Sequence, residues 1–304
     1  MTRGDAIIVD WGTTSFRAWL VDTASAERLA EIPSGRGMKE VATAEYPAYC
    51  RAMLSPWRDR DDPPPVYMAG MVGAPTGWLF APQPALPVSA ADLAAQVVPA
   101  PGLDDAWIIP GCRVDTAAPD RVDVMRGEEV QIFGALALLG RRDGVLCLPG
   151  THSKWARVID GRITDFHTFM TGEMFRAVLD ATILGQGVSS TGPWDDAAFR
   201  LGLDAAKEPG GLLNRLFSTR GRRLYRALPE DSVPAYVSGL LIGEEFRAAS
   251  EVAPCTEPVP LIGAERLRQP YETAARAFHI PVVWIAAADA TVRGCIDVIR
   301  NRAR

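Results

Sequence analysis

The stretch Val145 to Asp160, VLCLPGTHSKWARVID, repeats without a gap the pattern of Ile7 to Asp22, IIVDWGTTSFRAWLVD. Gly12 matches Gly150, Thr13 matches Thr151, Ser15 matches Ser153, Ala18 matches Ala156 and Asp22 matches Asp160. β-Branched and aliphatic residues flank both, so each copy predicts strand, tight turn, strand. A Gly-Thr turn between two strands presents backbone N–H groups and hydroxyls in a small concavity, a geometry that holds phosphate oxygens. The candidate phosphate contacts are Gly12, Thr13 and Thr14 in the first copy and Gly150, Thr151, His152 and Ser153 in the second. Two such turns at matching places predict a duplicated α/β fold with phosphates clamped between its halves.

A chain of 304 residues exceeds the size at which one core usually stops growing. The duplication divides it into 1–140 and 141–304. The 32 basic and 37 acidic residues are near balance, which gives no electrostatic reason to expect nucleic acid or an anionic membrane as partner. An acidic small molecule would need a local basic pocket instead. Five scattered cysteines without a C-x-x-C, and three histidines, predict neither a disulfide framework nor a zinc site, and fit a reducing cytoplasm. The N-terminus enters a strand at once, and no apolar run reaches about 18 residues. These features predict a soluble, unprocessed protein, with a homodimer as one assembly open to it.

Asp10 ends the first strand, where its carboxylate can hold a magnesium ion through water, since magnesium keeps several waters and takes few protein ligands. The alternative is a turn Asp that caps backbone amides. Arg17 is a further phosphate contact or an outward edge residue. Ser34 to Lys39, SGRGMK, lacks the third glycine and the context of a dinucleotide fingerprint, and reads as a loop near the substrate or a turn. Gly70, Met71, Gly73 and Trp78 lie in GMVGAPTGW, whose glycines permit close backbone approach to a ligand and whose Trp supplies a rigid wall. In DVMRGEEVQIFGALALLG a buried apolar helix begins with Glu128 and Glu129. Either glutamate is a candidate base for an attacking hydroxyl, or both simply favour the helix dipole. Arg126 can bind a substrate carboxylate with two hydrogen bonds.

In the second copy Lys154 can reach a phosphate, and His152 is a phosphate or substrate contact. No G-x-x-x-x-G-K-[ST] run is present. Thr171 and Glu173 open a helix whose N-terminal amides form another anion site. Gly239 and Gly243 share a helix face, allowing close approach of a neighbour or a nucleotide. Gly263, at a strand-to-helix turn, is a place where a nucleotide base can lie flat. From Gly185 to Asp231 the sequence predicts loops and helices without a chemical motif.

With these features in place the chain resembles the actin, hexokinase and Hsp70 superfamily, and within it the 2-dehydro-3-deoxygalactonokinase family of sugar-acid kinases. The resemblance runs over nearly the whole chain and is carried by DWGTTSFRAW, GMVGAPTGW, DVMRGEEVQIFGAL, LPGTHSKWARV, FMTGEMF and SGLLIGEEF. It implies two ribonuclease-H-like domains flanking an ATP cleft, with the sugar acid on the N-terminal half and adenosine near Gly263. It further implies ATP and Mg2+ as cofactors and transfer of the γ-phosphate to the 6-hydroxyl of 2-dehydro-3-deoxy-D-galactonate. The gluconate epimer or another sugar acid, and hydrolysis on the same fold, are the alternatives. Many superfamily members carry an acid at the start of the second hairpin, where this chain has Leu148 and Pro149. Acid function then falls to Glu128, Glu129 and Asp10.

Overall fold

The computed structural model describes residues 4–115, 121–188 and 194–302. Contacts group them into two units: residues up to Asp143 with Arg157–Asp165 and the chain from Ala286 on, and Gly144–Ala156 with Phe166–Ile285. The grouping places the last helix and the far end of one hairpin with the N-terminal run.

In chain order the N-terminal run holds β1 (Ala6–Trp11), β2 (Ser15–Asp22), β3 (Glu27–Arg36), α1 (Tyr46–Arg58), β4 (Val66–Ala69), α2 (Ala90–Ala94), β5 (Val98–Pro99), β6 (Ala106–Ile108), β7 (Cys112–Asp115), β8 (Val122–Met125) and α3 (Glu128–Leu139). There follow β9 (Gly144–Leu148), β10 (Ser153–Ile159), β11 (Arg162–Phe169), α4 (Thr171–Ala181), α5 (Asp196–Lys207), α6 (Gly211–Leu224), α7 (Val233–Val252), β12 (Val259–Gly263), α8 (Arg268–Ala277), β13 (Val282–Ala286) and α9 (Ala287–Arg302). The two larger sheets have the orders β3-β2-β1-β4-β6-β5 and β11-β10-β9-β12-β13. Each places a three-strand meander beside strands that follow later in the chain, and in each the meander's first strand runs parallel to its later neighbour. The duplicated α/β architecture expected from the two turns therefore extends through both sheets, with β5 as an addition to the first.

In the first unit, Ala6 to Val9 and all of β4 are buried. A strand covered on both faces needs a continuous apolar run rather than an alternating one. Ile7, Val9 and Trp11 join Tyr46, Cys50 and Leu54 of α1 in one core cluster, while α9 touches β1 and β4. Helices α3 and α9 cross at glycine: a Cβ at Gly134 would stand 1.9 Å from the Ala290 carbonyl oxygen, and one at Gly294 would stand 1.7 Å from that of Val130. This close crossing explains why α3 is apolar nearly all round. Gly140, in the left-handed region at φ 62°, ends it.

In the second unit α7 crosses α5 in the same manner. A Cβ at Gly202 would lie 2.1 Å from the Tyr236 carbonyl oxygen, and one at Gly239 would lie 2.0 Å from that of Phe199. The neighbour that Gly239 and Gly243 admit is thus α5, which the sequence did not delimit. Strand β3 runs on to Arg36. Gly35 pairs with Phe16, and a Cβ there would stand 2.7 Å from the Tyr49 hydroxyl, so the first glycine of SGRGMK belongs to the sheet.

Candidate active site

The first turn is braced by the chain that follows β3. Gly12 N–H bonds the Ser15 carbonyl at 2.9 Å, closing the turn. Met38 N–H donates to Gly12 O and Lys39 N–H to Thr13 O, each at 3.1 Å. Gly37 makes this approach possible, because a Cβ on it would stand 2.3 Å from the carbonyl carbon of Thr14. Asp10 and Arg17 are cross-strand partners, and Arg17 Nη2 donates to Asp10 Oδ2 at 2.6 Å. The Asp10 side chain is 16% exposed. Burial raises its pKa, and the Arg17 charge and hydrogen bond pull the other way. Among the described residues no three His, Cys, Asp or Glu side chains gather as a metal cluster. A single carboxylate at a strand end suits magnesium, which keeps most of its waters.

Backbone contacts connect Asp10 to the start of α3. Gly70, at φ +98°, lies so close to β1 that a Cβ there would meet Trp11 O at 2.9 Å and Asp10 Oδ1 at 3.4 Å. Gly127, at φ +101°, would place a Cβ 3.1 Å from Gly70 Cα. Two left-handed positions stacked in this way require glycine. They bring Asp10, Gly70 and the N-terminus of α3 into one region of the first unit.

Glu128 and Glu129 both turn back towards the helix start, and burial separates them. Arg126 N–H donates to Glu128 Oε2 at 2.9 Å, and Glu128 is half-buried. Gly127 N–H donates to both Glu129 oxygens, at 3.0 and 2.7 Å, and Glu129 has no exposed surface. Burial, reinforced by the Glu128 charge, pushes the Glu129 carboxyl up to about 8, so it holds its proton at neutral pH. Arg126 Nη2 donates to Ala81 O at 3.0 Å, and its guanidinium lies 5.8 Å from the Phe80 ring centroid. Arg126 Nη1 is buried and has no hydrogen-bond partner among the described residues. Gly73 leaves room for it, since a Cβ there would stand 2.7 Å from Nη1. Met71 is exposed. Trp78 packs edge-on to Trp11 and donates to Pro101 O at 3.1 Å, as part of the aromatic core.

The second turn is braced by a helix. Thr151 and His152 are exposed at its tip, whereas Ser153 and Lys154 are buried. Glu173 N–H donates to Thr151 O at 2.9 Å, and Arg176 Nη2 to Thr151 Oγ1 at 2.8 Å. His152 Nε2 and Glu173 Oε2 are 2.5 Å apart. A Cβ at Gly172 would stand 2.5 Å from Gly150 O. Lys154 extends along β10, with Nζ 3.0 Å from Thr168 Oγ1. Thr171 turns its hydroxyl inward, onto Glu245 Oε2 at 2.5 Å. At the end of β12, the space left by Gly263 is filled by Trp284, whose ring would meet a Cβ at 2.9 Å.

Sequence reasoning passed over Glu245, which is buried beneath the second turn. Its position carried a signal: it falls four residues after Leu241 and four before Ala249, on the buried face of α7. Phe80 and Arg176 were missed as well, although each stands just past a motif, GMVGAPTGW and FMTGEMF. Expected residues thus fall into separate groups: Asp10, Gly12–Thr14, Arg17, Gly70, Met71, Gly73, Trp78, Arg126, Glu128 and Glu129 in the first unit, and Gly150–Lys154, Thr171, Glu173 and Gly263 in the second.

A family model described as 2-keto-3-deoxy-galactonokinase matches residues 10–298. A protein of Escherichia coli (strain K12) named 2-dehydro-3-deoxygalactonokinase is 32% identical over 298 residues, covering 97% of this chain and 98% of its own. A crystal structure from Sinorhizobium meliloti, provisionally named for the same activity, is 33% identical with a TM-score of 0.85, covering 97% of this chain and 96% of its own. The activator of the 2-hydroxyisocaproyl-CoA dehydratase from Clostridium difficile, solved with bound ADPNP, shares the fold at 9% identity and a TM-score of 0.54, with 98% and 96% of the two chains covered. No helix among the described residues is long and apolar enough to cross a membrane.

Proposed function

This chain belongs to the 2-keto-3-deoxy-galactonokinase family, and from that membership we propose that it transfers the γ-phosphate of ATP to the 6-hydroxyl of 2-dehydro-3-deoxy-D-galactonate. The observation that carries the substrate reading is the buried, unpartnered Nη1 of Arg126 at the entrance to the helix bearing Glu128. A buried guanidinium nitrogen without an acceptor is costly, and a carboxylate supplies one. The sugar acid's carboxylate is accordingly assigned to Arg126, with Gly70, Met71, Gly73 and Phe80 beside it.

Glu128 is the assigned base. It is the glutamate of the pair with exposed surface, whereas Glu129 holds its own proton at neutral pH. Glu128 takes the proton of the 6-hydroxyl as that oxygen bonds to the γ-phosphorus, the bond to the β–γ bridging oxygen breaks, and ADP leaves. The transition state is loose, so alignment and charge neutralisation carry most of the catalysis. Gly12–Thr14 and Gly150–His152 are assigned to the nucleotide phosphates, and Gly263 to the neighbourhood of adenine. Asp10 would hold Mg2+ through water, and that ion supplies neutralisation of phosphate charge when bound.

The test is ATP consumption by the purified protein with magnesium, offered 2-dehydro-3-deoxygalactonate, its gluconate epimer or no acceptor. Turnover that depends on the galactonate compound is expected. Equal turnover without acceptor would mean that Glu128 activates water, and faster turnover with the epimer would reassign the substrate.

A further inference from the structure

Five side-chain donors converge on Glu245, a buried residue that the proposed chemistry does not use. Oε1 accepts from Ser153 Oγ at 2.6 Å and Trp155 Nε1 at 2.9 Å. Oε2 accepts from Thr171 Oγ1 at 2.5 Å and Tyr271 Oη at 2.9 Å. Cys147 Sγ lies 3.8 Å from Oε1. One carboxylate on α7 thereby joins β9, β10, α4 and α8.

Two of these donors hold the second turn. Ser153 is the first residue after it, and Thr171 is the first residue of α4. The next residues of α4 grip the turn directly: Gly172 rests against Gly150 O, Glu173 N–H bonds Thr151 O, and Arg176 bonds the Thr151 hydroxyl. The exit of the turn and the helix that braces its side thus share one acceptor. Burial raises the Glu245 pKa and its hydrogen-bond donors pull the other way; a buried carboxyl satisfied on both oxygens fixes the groups around it, because any displacement strands buried polar atoms without partners.

We propose that Glu245 is a positioning residue for the nucleotide phosphates: through Ser153 and Thr171 it sets the spacing between the second turn and the first turn of α4. This rests on the assignment of that turn to the nucleotide. Replacing Glu245 itself strips five donors of their acceptor and is expected to cost folding, so the informative change is the isosteric Thr171→Val, with Ser153→Ala as a second. Either should raise KM for ATP about tenfold, the scale of one buried hydrogen bond, and leave KM for the sugar acid within about twofold. Thr171→Ser, which keeps the hydroxyl, should restore the parental value.

Thr151→Val, at the turn itself, is measured alongside. A raised KM for ATP in Thr151→Val with none in Thr171→Val or Ser153→Ala overturns the proposal alone. No change in Thr151→Val overturns the phosphate assignment, and the proposal with it. A fall in thermal stability with both KM values moved together, not restored by Thr171→Ser, assigns Glu245 to folding only and also overturns the proposal.

Discussion

The two turns share a backbone and differ in where their charge comes from. In the first, Asp10 and Arg17 face each other across the hairpin at 2.6 Å, and the brace is the chain just after β3. At the matching positions the second has Leu148 and Trp155. Apart from Lys154 at its exit, its ionisable neighbours come from other elements: Glu173 and Arg176 from α4 beside it, and Glu245 from α7 beneath it, where the Trp155 indole donates to the carboxyl group. Both braces need a glycine at the point of contact, Gly37 in one and Gly172 in the other. Duplication has thus kept the concavity of backbone groups, while the acid has stayed local in one copy and become tertiary in the other.

If reaction chemistry belongs to the first unit and only phosphate grip to the second, two glutamine substitutions should behave differently. Glu128→Gln is expected to lower kcat by about 10² to 10⁴, the usual contribution of a general base, with KM for ATP little changed. Glu173→Gln should raise KM for ATP and leave kcat within a few-fold. Steady-state kinetics in both substrates decide the matter. An equal loss of kcat in the two variants would break the contrast and place a reacting group on α4.

A smaller effect tests whether the local ion pair is replaceable by the apolar pair of the other copy. Arg17→Leu leaves the largely buried Asp10 carboxylate without its partner. It should destabilise the protein by about 1 kcal/mol, a figure reduced because Arg17 is itself partly exposed to solvent. The double change Asp10→Leu with Arg17→Leu removes both charges and should regain most of that stability in urea unfolding, while activity stays low for want of Asp10. Equal destabilisation in single and double variants would show that the pair is not what Asp10 depends on.

The sequence disclosed the turns, the acidic entrance to α3 and the hairpin strands because each is a local pattern: alternation, a Gly-Thr pair, a carboxylate before an apolar run. What it withheld was tertiary. Nothing near Gly37 says that the Thr14 backbone will stand against it, and nothing near Gly70 and Gly127 says that they will stack. Helix α5 was not delimited, although its Asp195 cap accepts from Ala198 N–H at 3.0 Å, because the Gly and Pro around Trp194 mask its start. Thr171 read as a ligand contact because it opens a helix. Its hydroxyl is directed inward by Glu245, 74 residues away in sequence.

The two buried carboxylates carry the same contrast into stability. Glu245 is met by five side-chain donors, whereas the hydrogen bonds to Glu129 come from Gly127 N–H at the start of its own helix. Glu129 titrates near 8 in the folded chain, against a usual 4.5. Between those values the unfolded chain has lost this proton and the folded chain has kept it, so the folded state binds more protons and its stability falls as pH rises. Below about 4.5 both states are protonated, and above about 8 both are ionised, so the loss is confined to that window. Glu129→Gln keeps the shape and cannot ionise. Urea unfolding of the variant and its parent at a series of pH values should therefore diverge in the variant's favour from pH 5 to pH 8, by on the order of 3 kcal/mol. A constant difference across that range would mean that Glu129 is ionised in the folded protein and stands beside Glu128 as a candidate base.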